Sequence, residues 1–255
     1  MQIDIFHDTV CPWCRIGKKH LFDALSQSEQ EELDIRWHPF LLDNSVPNQG
    51  YEFRDFMQKR KGMSPQQLQQ MFDYTRLMGE AAGVKLDFQK VQLAVNTTLS
   101  HRLIELAPSK LKNKVVEAIY QAYFEDGLNL GNINVIVTIA KSSGMDISEL
   151  PQQLNDKTAY NAIVLESDNA RKLGINSVPF FIITPFSLED YRSRSVSLQG
   201  ENKNRRDAEN TEERGKERLV ILDRDRSNNQ GNQISISGSQ SKEAFIEAFK
   251  QLVDS

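Results

Sequence analysis

Only two cysteines occur in the 255 residues. So few thiols exclude a disulfide-stapled scaffold, which needs more of them at wider spacing. An iron–sulfur cluster needs four ligands, and here it could arise only by sharing between subunits. No run of about 18 apolar residues occurs, so no segment is suited to span a membrane. Basic charge is not in excess: 31 Lys and Arg stand against 35 Asp and Glu, a net charge of −4. A nucleic-acid-binding face needs clustered Lys and Arg, and no such partner is expected. Met1 to Phe6 includes acidic Asp4 and lacks the basic and apolar regions of a signal peptide, which points to the cytoplasm. Apolar residues are sparse at 39%, so a polar segment should lie outside the core.

What is present reads as an α/β chain. Residues 2–7 form a short strand with Ile3 and Ile5 on one face. A helix follows to about Ser26, with Cys14, Gly17, Leu21, Ala24 and Leu25 on one side. Leu33, Ile35 and Trp37 then alternate with Asp34 and Arg36, a second strand. Strand, helix and strand in so short a span make a βαβ unit, expected to be parallel and right-handed. From Tyr51 to Leu173 the pattern is helical throughout. Ser64-Pro65 is an N-cap with proline at the first helical position, leading to Leu68, Met71, Phe72 and Leu77. Val115, Ile119, Tyr120 and Tyr123 recur at helical spacing, and Gly174 is a left-handed cap for the last of these helices. Residues 177–183 are a buried strand introduced by proline, 234–237 a second strand, and Phe245, Ala248, Phe249 and Leu252 one face of a final helix. Residues 187–233 are dominated by polar and charged side chains whose charges balance. Apart from Leu219 to Leu222 they bury too little to offset ordering entropy, and a mobile insertion is expected there.

The chemistry lies in Cys11-Pro12-Trp13-Cys14, between a strand and a helix. At a helix N-terminus, free N–H groups and the macrodipole favour an anion, and only a thiolate attacks a disulfide. Pro12 sits where a missing N–H costs nothing. Cys14 is one turn in, on the buried side, and can wait there to attack a mixed disulfide. Trp13 is expected to be exposed beside the nucleophile, offering apolar contact to an unfolded substrate. Zinc would need two further ligands from His7, His20, His38 and His101, a poor match in spacing, and no metal is expected. Two cysteines buried merely as small apolar residues fit this context poorly. Val178-Pro179 opens an apparently buried strand, where proline cannot donate to the ladder. A cis bond would resolve the conflict and turn backbone groups toward Cys11, where an extended substrate could pair. Asp8 could accept a proton or simply cap the turn. His38 and His101 are either acid–base groups or satisfied histidines.

The segments Asp8 to Cys14 with Ile16-Gly17, Trp37 to Phe40, Asn96-Thr97 with His101 to Leu103, Tyr120 to Gly127, Gly174 to Phe181, and Ile236 to Gln240 together resemble DsbA-family thiol–disulfide oxidoreductases, in their FrnE-like branch. The resemblance implies a thioredoxin-like fold (βαβ … ββα) interrupted by an all-helical insertion domain. The thioredoxin-like domain would comprise residues 1–48 and 174–255, and the helical domain residues 49–173. It implies Cys11 as nucleophile, Cys14 as resolving thiol, and Val178 and Pro179 as substrate site, with Pro12 and Trp13 beside them. Disulfide exchange would then need no metal or bound organic cofactor. Thiol or disulfide proteins, or glutathione as a co-substrate, would be its partners. The hydroxychromene-carboxylate isomerases and kappa-type glutathione transferases share the architecture but generally use a single Ser or Cys. A holdase or partner-binding protein with idle cysteines is a reading of a different class.

Overall fold

The structure is a computed structural model that describes residues 1–28, 33–186 and 233–253. The polar segment 187–233, Gln233 apart, lies outside the described residues. A four-stranded sheet of order β2-β1-β5-β6 is formed by β1 (Gln2–His7), β2 (Asp34–Pro39), β5 (Phe180–Thr184) and β6 (Ile234–Ser237). β1 and β2 are parallel, with Ile3 opposite Ile35, whereas β1 with β5 and β5 with β6 are antiparallel. The expected parallel βαβ unit is therefore present, with α1 (Pro12–Leu25) as its crossover.

β1 is central, and both of its faces are covered. Ile3 and Ile5 join Leu21 and Ala24 of α1 and Phe245 and Phe249 of the last helix, which spans Lys242–Val253. Phe6 points the other way, into a cluster with Phe40, Ala170 and Ile175. Ala170 belongs to α8 (Lys157–Lys172), which ends at the positive-φ Gly174 as its sequence suggests.

Between β2 and β5 the chain forms α2 (Phe53–Lys59), α3 (Pro65–Ala81), α4 (Thr98–Leu106), α5 (Ser109–Phe124), α6 (Ile133–Ser143), α7 (Leu150–Leu154) and α8. Ser64 caps α3 through a full capping box with Gln67. The wholly helical expectation for this stretch needs one correction. Tyr51–Glu52 (β3) pairs antiparallel with Leu93–Ala94 (β4), a two-residue ladder too short to leave any alternation in sequence. A second correction concerns Leu77, which is 59% exposed. The buried stripe of α3 runs through Leu68, Phe72, Thr75 and Gly79, and Leu77 falls on the opposite side of the turn. Val115, Ile119, Tyr120 and Tyr123 of α5 are buried as expected, in the same apolar core as α1.

His38 fastens α8 to the sheet. Its ring stacks on Phe6, with centroids 4.6 Å apart, while Nε2 lies 2.7 Å from Asp4 Oδ1 and Nδ1 3.0 Å from Glu166 Oε1. It is thus a satisfied histidine. Burial pulls its pKa down, but the hydrogen bonds and charges of Asp4 and Glu166 prevail and hold it above the ordinary value of 6.5. A raised folded-state pKa contributes stability in full below the unfolded value and loses it as pH rises through the folded one. His38→Gln is therefore expected to cost about 2 kcal/mol below about pH 6 and less in alkali. Urea unfolding across that range checks it, and a pH-independent loss would refute the charged clamp.

Candidate active site

β1 delivers His7 to the end of the sheet, and Asp8-Thr9-Val10 turns the chain into α1, with the Cys11 N–H donating to the Asp8 carbonyl at 3.1 Å. Cys11 is the N-cap of α1, in extended conformation, and Pro12 takes the first helical position. The Cys11 carbonyl accepts from Cys14 N–H at 3.1 Å, so both sulfurs lie within one turn. Both thiols are free. Both residues are buried: Cys11 is 4% and Cys14 2% exposed.

The Val178–Pro179 bond is cis, as the sequence led us to expect. The Val178 carbonyl lies 3.7 Å from Cys11 Sγ and accepts its weak S–H hydrogen bond. Gly238 N–H holds the Pro179 carbonyl at 2.8 Å, tying this loop to β6. α1 can approach so closely because residue 17 is glycine. A Cβ there would stand 3.0 Å from Pro179 Cγ and 3.3 Å from Phe181 Cζ. Pro12 and Val178 are half-buried beside the thiols, and Pro179 is buried. Trp13 departs from expectation. It is half-buried rather than exposed, its ring 5.7 Å from Tyr74, because α3 packs over the start of α1.

A buried polar cluster lies among the residues that precede the thiols and the helices that cover them. His7 Nδ1 and the Tyr120 hydroxyl are 2.9 Å apart, and the His7 ring is 5.0 Å from that of His101 and 4.8 Å from that of Trp37. Burial pushes the His7 pKa well down, helped by His101, His38 and Lys18. Burial likewise pushes the Tyr120 hydroxyl well up, with the cysteines and Asp8 adding to it. Asp8 is 1% exposed; its Oδ2 accepts from Leu42 N–H at 2.7 Å, and its Oδ1 lies 3.6 Å from His101 Nε2. The Thr9 and Ser100 hydroxyls are 2.8 Å apart, linking the turn to α4. Cys14 has its pKa pushed well above the ordinary thiol value, by burial first and then by the Cys11 contact.

Asp8 and His101, read separately in the sequence, thus meet here, whereas His38 faces α8. His20 is elsewhere on α1, its Nδ1 2.7 Å from the Gln240 carbonyl. Two participants carried no sequence signal as site residues. Tyr120 read as one more apolar-stripe position of α5. Arg15 follows Cys14 directly and is only 5% exposed. Its guanidinium binds Glu117 and Glu125 of the α5 region and the Lys85 carbonyl. Among the described residues no group of three or more His, Cys, Asp or Glu is placed to hold a metal ion, and no helix is long and apolar enough to cross a membrane.

Known proteins are similar to this chain in sequence or in fold. Uncharacterized protein YwbO of Bacillus subtilis is 24% identical over 185 residues, which cover 72% of this chain and 86% of YwbO. A probable DsbA oxidoreductase from Streptomyces coelicolor superposes with a TM-score of 0.72 at 22% identity, covering 100% of this chain and 90% of that one. The cytosolic disulfide reductase DsbM from Pseudomonas aeruginosa, solved with GSH, has a TM-score of 0.52 at 14% identity, covering 80% of this chain and 100% of its own. Residues 2–190 match the DSBA-like thioredoxin domain, from β1 and the Cys11 turn through the helices to β5, and the chain belongs to that family.

Proposed function

We propose that this protein is a thiol–disulfide oxidoreductase that exchanges disulfides through Cys11 and Cys14. The observation that carries this reading is Cys11 at the N-cap of α1, 3.7 Å from the Val178 carbonyl, with Cys14 one turn further in. The Cys11 thiolate attacks one sulfur of a substrate disulfide and expels the other as a thiolate. Cys14 then attacks Cys11, closing the internal disulfide and releasing the second substrate thiolate. Two electrons pass from the dithiol to the substrate, and the reverse sequence oxidises a substrate dithiol.

Burial keeps Cys14 protonated and out of reach until the mixed disulfide forms. Pro12, Trp13, Val178 and Pro179 border the point of attack and would receive the substrate, with the Val178 carbonyl free to accept a backbone N–H of an extended chain once Cys11 is in the mixed disulfide. No metal or organic cofactor enters this scheme. Glutathione suits it as the small thiol partner, and the GSH-bound reductase among the similar structures supports that choice. A cytoplasmic site of action belongs to the same proposal.

The test is to equilibrate the protein in glutathione redox buffers and count free thiols. A reversible two-electron transition is expected. A midpoint toward about −120 mV would make it a disulfide donor, and one toward about −270 mV a reductase. Absence of an internal disulfide at every buffer ratio would refute the proposal.

A further inference from the structure

A cavity of about 650 Å³ lies in the helical part of the molecule, and none of its lining residues belongs to the dithiol site. One wall is α3, through Asp73, Arg76 and Glu80, and the other is the segment 83–89, which turns back along α3. Gly79 permits that close return. A Cβ there would stand 2.8 Å from the Val84 carbonyl oxygen and 2.9 Å from Leu86 Cδ1. Backbone bonds then fix the second wall. The Val84 N–H donates to the Gly79 carbonyl at 2.7 Å, the Lys85 carbonyl accepts from Arg15 Nη1 at 2.7 Å, and the Asp87 N–H donates to the Phe124 carbonyl at 2.9 Å. The trough between the walls is thus built into the fold and has the size of an ordinary small-molecule site.

Its floor is apolar. Phe72 and Phe88 are buried and stack with centroids 4.6 Å apart, and the Arg54 guanidinium carbon is 5.8 Å from the Phe72 ring centroid. Such a surface suits a flat apolar body. Its rim carries charges of both signs. Arg76 and Glu80 satisfy each other at 2.7 Å. That leaves Arg54 and Lys85, and Asp73 and Asp87, without an ion pair among the described residues. Asp73 accepts from the Gln69 side-chain amide and Asp87 from the Gln89 N–H, neutral donors that leave each carboxylate its charge. A purely anionic guest would meet Asp73 and Asp87, and a purely cationic one Arg54 and Lys85. A guest with one charge of each sign answers both sets.

We propose that this trough binds a short free peptide with an aromatic side chain. Its carboxylate lies toward Arg54 and Lys85, its ammonium toward Asp73 and Asp87, and its ring on Phe72 and Phe88. The site is separate from the dithiol chemistry and does not rest on the oxidoreductase reading.

Isothermal titration calorimetry with L-alanyl-L-phenylalanine tests it. One-to-one binding with a Kd below about 1 mM is expected. The same dipeptide acetylated at its N-terminus and amidated at its C-terminus keeps the ring and loses both charges, and should bind about tenfold more weakly. Lys85→Gln and Arg54→Gln should each weaken the charged dipeptide about tenfold, and either decides if the other does not fold. Lys141→Gln, the same change of charge on α6 outside the trough, should leave binding as it is. The absence of saturable binding up to about 10 mM overturns the proposal. So does equal binding of the blocked dipeptide, or unaltered binding in Lys85→Gln and Arg54→Gln, or a loss in Lys141→Gln as large as theirs.

Discussion

Cys14→Ala is expected to turn the protein into a trap that accumulates a mixed disulfide on Cys11 and loses turnover on the order of 1000-fold or more. The reason is positional. Cys11 sits at the N-cap of α1 beside the Val178 carbonyl, and Cys14 is the one other cysteine in the chain. With Cys14 removed, only an external thiol can discharge the first intermediate. Mass spectrometry after incubation with oxidised glutathione should find one glutathione per chain, held on Cys11. Cys11→Ser should acquire none. A glutathione-dependent isomerase or transferase working through a single residue would instead keep its turnover in Cys14→Ala. A holdase would still suppress aggregation with Cys11→Ser and Cys14→Ser combined. Full exchange activity in Cys14→Ala would therefore sink the dithiol mechanism.

Arg15→Ala is expected to cost about 3 kcal/mol of folding stability, a change of more than a hundredfold in the folding constant. Arg15 donates to Glu125 at 2.7 Å, to Glu117 at 2.8 Å and to the Lys85 carbonyl at 2.7 Å. Its removal leaves Glu125, 20% exposed at the side chain, without its partner. Glu117 matters less, because its side chain is 43% exposed and Lys18 still binds it. Burial raises the Glu117 pKa, but Lys18 and Arg15 outweigh it and hold the carboxyl below its ordinary 4.5. A depressed carboxyl pKa gives stability that is present above the unfolded value and lost as pH falls through the folded one. The gap between Arg15→Ala and the unaltered protein should therefore narrow in acid. Urea unfolding measures it, and a cost under about 1 kcal/mol would mean that the cluster behaves like an exposed pair.

The readable parts of this molecule share one property: each depends on neighbours in sequence. The βαβ unit, the capping box from Ser64 to Gln67 and the positive-φ Gly174 all follow from local stereochemistry or periodicity. Cys11 at the N-cap of α1 is of the same kind. Val178–Pro179 was legible because a proline before a buried strand has few permitted conformations. What escaped was non-local. Tyr51–Glu52 pairing with Leu93–Ala94 leaves no pattern, since two residues cannot show a period. Trp13 looked exposed because nothing near it in sequence says that Tyr74 will cover it.

The strand–helix order of the thioredoxin-like fold and the position of the dithiol at a helix start were written in the residues, because backbone preference and hydrophobic period act over a few positions. The surroundings of those thiols came from folding. It brought His7 to Tyr120, Asp8 to His101 and Arg15 to Glu125, pairs set far apart along the chain. A polar residue at such a position reads as surface until the fold removes its water. Once water is gone, an unpaired buried donor or acceptor is costly, and which partner it meets is a property of packing rather than of the letters beside it.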